Sequence, residues 1–130
     1  MTTVSALIWS ALLTWVMVLV ASVIRVKAWT PAGMQAAFGN RENLPPDSPV
    51  AGRADRAARN MMESFLLFTA LVAAAHFAGK ATAQADLGAT IFFWARLAYW
   101  PCYLAGIIYL RTAIWAVAVV GLAMILLAAL

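Results

Sequence analysis

The chain has 130 residues, 65% of them hydrophobic and only 11% charged, with a net charge of +4. Soluble globular domains carry nearer a quarter charged residues, and a fold of this length has too little interior to shelter so much apolar surface from water, so the composition points to a bilayer. The nine Lys and Arg residues gather where the chain reverses between apolar runs and not in a basic, aromatic-interleaved face, which argues against nucleic acid; the single cysteine, Cys102, excludes an intrachain disulfide and a cysteine-built metal site.

A helix needs about 20 apolar residues to cross the hydrocarbon core. Four segments qualify in chain order, at residues 4–26, 57–78, 87–110 and 112–130, and predict a single all-α membrane domain folded as an antiparallel four-helix bundle. The first segment has no basic residue before it and is followed by Arg25 and Lys27, so it reads as an uncleaved first helix and not as a signal peptide. The connection over residues 27–53 is the long one. Its stretch from Phe38 to Gly52 holds Gly39, Asn40, Pro45, Pro46, Asp47, Pro49 and Gly52, all turn formers, and predicts a non-helical loop over one mouth of the bundle. Arg25, Lys27, Arg41, Arg53, Arg56 and Arg59 lie in or beside that connection and Arg111 at the third, whereas the second carries only Lys80. The positive-inside rule then puts the first and third connections in the cytoplasm and both termini outside.

The second segment enters the membrane through polar sequence. Arg53, Arg56, Asn60 and Glu63 are spaced three, four and three apart, which at 100° per residue places them within roughly 80° of one another on one helix face. Arg53 and Arg59 are shallow enough to extend to the membrane surface; Asn60 and Glu63 are not. A charge near the bilayer centre costs about 2.5–3.5 kcal/mol on insertion scales and is normally paired or set in a polar cavity. The third segment has a matching stripe in Arg96, Tyr99 and Tyr103, continued by Gly106. The simplest expectation is an ion pair between Glu63 and either Arg96 or Arg56. His76, the lone histidine, stands apart from these stripes and reads as an interfacial residue.

Guanidiniums, phenols, an amide and a carboxylate in an apolar setting suit an anionic small molecule, since guanidinium stays charged and grips carboxylate or phosphate with two hydrogen bonds. A guanidinium beside a thiol also favours the thiolate, the nucleophilic form.

The pattern Arg53-x-x-Arg56-Ala57-x-x-Asn60-x-x-Glu63, followed by Ala95-Arg96-Leu97-Ala98-Tyr99, Tyr103 and Arg111, resembles the MAPEG superfamily, the membrane-associated proteins of eicosanoid and glutathione metabolism. Gly39-Asn40-Arg41-Glu42 and the prolines after it are most similar to the small bacterial members, which implies a multi-pass protein of the bacterial inner membrane. The resemblance covers nearly the whole chain. It implies a homotrimer binding glutathione between neighbouring subunits near the cytoplasmic face, with transferase or peroxidase activity on lipophilic electrophiles. It assigns Arg25, Arg56, Asn60, Glu63, Arg96, Tyr99 and Tyr103 to the hold on glutathione, and Arg111, one position from the family's usual place, to stabilising the thiolate. Gly52 replaces the acidic residue that commonly opens the first motif, and Ser64 stands where leukotriene-forming members carry a tyrosine. The family also includes a binding protein without known catalysis, so a non-catalytic lipid-binding or scaffold role is the alternative.

Overall fold

Four of the helices begin at a hydroxyl. Thr2, Thr30, Ser48 and Thr82 each accept a hydrogen bond from the backbone N–H three residues on, which satisfies one of the donors that a helix start leaves open. In the computed structural model, which describes residues 1–130, these caps open α1 (Thr3–Val26), α2 (Pro31–Phe38), α3 (Pro49–Phe77) and α4 (Ala83–Leu104); α5 (Ile108–Ala129) follows without a side-chain cap. The chain has no strand.

The helix bounds differ most from the sequence expectation in three places. The connection over residues 27–53 holds a short helix, α2, that its turn formers concealed. Pro49, read as a loop residue, is instead the first residue of α3, because Ser48 caps the helix and a proline fits its first turn, so residues 49–52 are helical. The third long helix ends at Leu104 and not near residue 110. Gly106, at φ 77°, makes the turn, where the Gly106 and Ile107 N–H groups bond back to Tyr103 and Cys102. Arg111 therefore lies inside α5 and not in a connection.

α1 packs chiefly on α3 and α4 on α5, while α3 touches both members of the second pair. Ala57 is buried on α3, and so are Ala51, Ala54, Ala58, Met61, Phe68, Val72 and Ala75 in one row. With half-buried Phe65 they alternate three- and four-residue steps, the spacing of a left-handed helix crossing. Small residues on this face let neighbouring backbones approach, and Phe68 stacks on Phe92 of α4 with ring centroids 4.2 Å apart. α4 and α5 come closest at two glycines. A Cβ on Gly88 would stand 2.6 Å from the Gly121 carbonyl oxygen, and one on Gly121 would stand 2.6 Å from that of Gly88.

Hydrogen bonds define the two ends of the bundle. At one end Asp86 accepts from the Thr3 N–H, Thr90 donates to the Met1 carbonyl and Lys80 to the Leu130 backbone oxygen, so both termini lie together. At the other, Arg53 Nε donates to the Leu104 carbonyl at 2.8 Å, joining the start of α3 to the end of α4. α1, α3 and α5 are long and apolar enough to cross a membrane; α4, equal in length to α5, is more polar. The outer surface carries exposed Trp15, Leu66, Leu67, Trp94, Val120 and Leu127, as suits contact with lipid.

Gly121→Ala is expected to force α4 from α5 and to lower stability in detergent by about 1–3 kcal/mol, the usual cost of overfilling a close contact. Thermal unfolding followed by circular dichroism checks this, with Ala123→Val on the exposed face of α5 expected to unfold like the parent.

Candidate functional site

The polar stripe of α3 faces away from the core of its own chain. At 100° per residue, Arg56 and Glu63 lie roughly 160–180° around the helix from the mean direction of the buried alanines and Met61, and Asn60 roughly 120°. Arg56 and Glu63 are exposed accordingly, and Asn60, at the edge of the stripe, is half-buried. The expected ion pair does not form. The chain's two ion pairs are Arg25–Asp47 and Arg59–Asp55. Glu63 has no partner within the chain because its side of α3 is turned outward, away from α4.

Arg96 of α4 is 1% exposed and enters the bundle beside the stripe. Its Nη2 donates to Asn60 Oδ1 at 2.8 Å and its Nε to Met61 Sδ at 3.3 Å. Its guanidinium carbon lies 4.4 Å from the centroid of the Tyr99 ring. An amide, a polarisable sulfur and an aromatic face thus take the place of a carboxylate; a cation over a ring is stabilised by the quadrupole even without ion pairing. Arg96 Nη1 is buried with no hydrogen-bond partner in the chain.

The line continues outward. The rings of Tyr99 and Tyr103 are 5.4 Å apart, and the Arg111 guanidinium lies 4.5 Å from the centroid of Tyr103. Two guanidiniums, two phenols and an amide therefore run in contact across α3, α4 and α5. Asn60, Tyr99 and Arg111 line one open cavity of about 220 Å³ together with Thr112 and Trp115. Sequence reasoning missed the last two. Positions 111, 112 and 115 share a face only once α5 is known to start at Ile108, so the misplaced turn hid them.

The structure thus brings Asn60, Arg96, Tyr99, Tyr103 and Arg111 together and leaves Arg56 and Glu63 on the adjoining outer face of α3. It sets Arg25 elsewhere. Arg25 pairs with Asp47 and donates to the Pro45 carbonyl. Arg41 donates to Ser22 Oγ in the same region. These bonds strap the loop to the last turns of α1 beside a second cavity of about 350 Å³, where Arg25, Arg41 and Arg59 meet Asp47 and Asp55. On α3 this cavity is lined by Asp55, Ala58, Arg59 and Met62, a side centred roughly 120° around the helix from Arg56, Asn60 and Glu63.

Arg53, read from sequence as a member of the stripe, has a backbone partner. Its bond to Leu104 satisfies a carbonyl at the C-terminus of α4, where a cation is favoured by the helix dipole, and Gly106 packs beside its side chain. Arg53 thereby braces the turn that carries the chain from Tyr103 to Arg111.

Among protein families, the model of the MAPEG family matches residues 2–130. No curated protein and no solved structure matches the chain.

Asn60→Leu strips Arg96 of its one oxygen partner and is expected to cost about 1.5–3 kcal/mol, the range for a hydrogen bond to a charged group. Glu63→Gln, on the exposed stripe, is expected to leave stability unchanged. Parallel unfolding curves in one detergent test the contrast, which an Arg96–Glu63 ion pair would reverse.

Proposed function

Since the chain belongs to the MAPEG family, we propose that it is a four-span membrane protein that binds glutathione between the subunits of a homotrimer and uses its thiolate against lipophilic electrophiles or lipid hydroperoxides. The observation that carries this reading is the contact line from Asn60 through Arg96, Tyr99 and Tyr103 to Arg111, ending beside an outward face that carries Arg56 and Glu63. Glutathione has two carboxylates, an ammonium and a thiol. Guanidiniums suit the first, Glu63 the second, and Arg111, on the cavity side of Tyr103, suits a thiolate.

The split between the two sides of α3 supports an intersubunit site. One side presents Arg56, Asn60 and Glu63, the other the cavity of Arg25, Arg41 and Arg59. Complementary patches on different sides of one subunit make a head-to-tail contact, and such contacts close into a ring when the rotation allows. In that assembly Arg25 of one copy reaches the glutathione held by the stripe of the next. The first and third connections face the cytoplasm, where glutathione enters, and the lipophilic partner arrives through the bilayer.

In a transfer reaction, the thiol proton is released to water as Arg111 holds the sulfur anionic. The sulfur lone pair then forms a bond to the electrophilic carbon as the leaving group departs with its bonding pair. In the peroxidase reaction the thiolate attacks the terminal peroxide oxygen, and a second glutathione completes the disulfide; two thiols are oxidised while the hydroperoxide becomes an alcohol and water. The same cavity without turnover gives a lipid-binding protein, which would take up a fatty-acid-like ligand with conjugation of an electrophilic probe at background.

Two measurements test the proposal. Protein purified in detergent is expected to bind glutathione at millimolar concentration and to show the ultraviolet absorbance of a bound thiolate; Arg111→Ala is expected to keep binding and lose the thiolate band. Co-assembled subunits carrying Asn60→Ala and Arg25→Ala separately are expected to regain part of the activity that each variant lacks alone, because some seams of a mixed ring then hold two unaltered halves. No recovery would place the whole site within one subunit.

A further inference from the structure

The short helix α2 has a face that nothing in the chain covers. It touches α1 and no other helix. Its buried residue is Gly33, packed so closely against the end of α1 that a Cβ there would stand 2.0 Å from the Lys27 carbonyl oxygen and 2.3 Å from that of Val26. This contact seats α2 against the end of a membrane-spanning helix. Turned roughly 100–140° from Gly33 around the helix, Met34 and Phe38, one helical turn apart, are 47% and 88% exposed, and Trp29, just before the cap, is 66% exposed. Trp29 and Met34 occupy the two positions that flank a helix start and commonly pack against each other, so the three side chains form one apolar strip.

The chain bends sharply at both sides of α2. Lys27 and Arg41, the two residues other than glycine with positive φ, bracket it at 53° and 58°. Both are basic and exposed. A left-handed conformation is costly for a residue with a side chain, and here it folds the chain from α1 into α2 and then from the loop toward Ser48. An apolar strip containing tryptophan, set at the end of a spanning helix and flanked by cations, matches the headgroup boundary of a bilayer with anionic lipid.

We propose that α2 lies in the plane of the membrane surface, with Trp29, Met34 and Phe38 inserted at the headgroup–acyl boundary and Lys27 drawn to anionic phospholipid. The anchor is independent of what the bundle binds. It also fixes the near end of the loop that Arg25–Asp47 and Arg41–Ser22 tie to α1. α2 is thus the foot on which that loop stands.

Site-directed spin labelling on the whole protein in vesicles tests this. In a Cys102→Ser background, Met34→Cys and Phe38→Cys are labelled separately and collisions with oxygen and with a water-soluble nickel chelate are compared. Leu66→Cys on the outer face of α3 serves as the membrane-interior reference and Asn40→Cys in the loop as the aqueous one. Oxygen collisions are expected to exceed nickel collisions at both α2 positions, giving a depth between the two references. In vesicles containing phosphatidylglycerol, Lys27→Gln is expected to raise the nickel collisions severalfold. Nickel-dominated collisions at both positions would show the strip in water and overturn the proposal. Shielding from both reagents would overturn it in favour of a second copy of the chain covering α2. Labelling two positions guards against a local disturbance from either substitution.

Discussion

The second long helix has to satisfy two incompatible surroundings at once. Along one side α3 offers alanines, a methionine and Phe68 to α1 and α4; along the other it carries Arg56, Asn60 and Glu63. In water the polar side would be an ordinary solvated face. In a bilayer it has to find polar company or remain at the surface, since unpaired charge in hydrocarbon is costly. The rest of the molecule answers that constraint. α4 and α5 lie against α3 so that Arg96, Tyr99, Tyr103 and Arg111 extend the stripe at its inner edge, and its outer edge is left for something beyond the chain.

Arg96 shows how a charge is accommodated without an opposite charge. Asn60 supplies an oxygen, Met61 a soft sulfur and Tyr99 a π face. Replacing a carboxylate in this way leaves the positive charge uncancelled, so the site retains a field attractive to anions. The same geometry separates residues that look alike in sequence. Arg53 is occupied by a backbone carbonyl, Arg59 by Asp55, Arg25 by Asp47, and Arg111 stands at the open cavity with a phenol ring behind it. Only the neighbours of each guanidinium distinguish a brace from a group left facing the cavity.

Much of this arrangement is legible in the residues alone. Periodicity identifies the apolar segments, and the three-four spacing of Arg56, Asn60 and Glu63 correctly sets them on one face. That spacing gives an angle around the helix axis but no direction relative to the core, which is why pairing Glu63 with Arg96 looked simple. The direction is readable in hindsight from the small residues between the charges: Ala54, Ala57, Ala58 and Met61 mark the packed side. The boundaries failed for local reasons. Pro49 is both a turn former and a good first residue of a helix, and Ser48 before it decides between the two. Ile107 to Leu110 is apolar and gives no sign of a turn, which Gly106 alone imposes. The connection that hides α2 is rich in residues that suit loops, yet Thr30-Pro31 is itself a helix start.

The composition of α4 also bears on how the protein enters its membrane. α1, α3 and α5 are long and apolar enough to cross a membrane, and α4 carries the buried arginine and falls short of them. Presented alone to lipid, α4 would expose Arg96 at a depth where insertion is unfavourable. The partners that relieve it, Asn60 and Met61, precede it in the chain and are in place when α4 is synthesised. The partner that follows, α5, is joined to α4 by a three-residue turn, Ala105 to Ile107, and fits against it at Gly88 and Gly121. A hairpin of α4 and α5 entering together against a helix already embedded would spare α4 that exposure. Substitutions at the glycine contact or at Asn60 then act on the yield of inserted protein as well as on the finished fold.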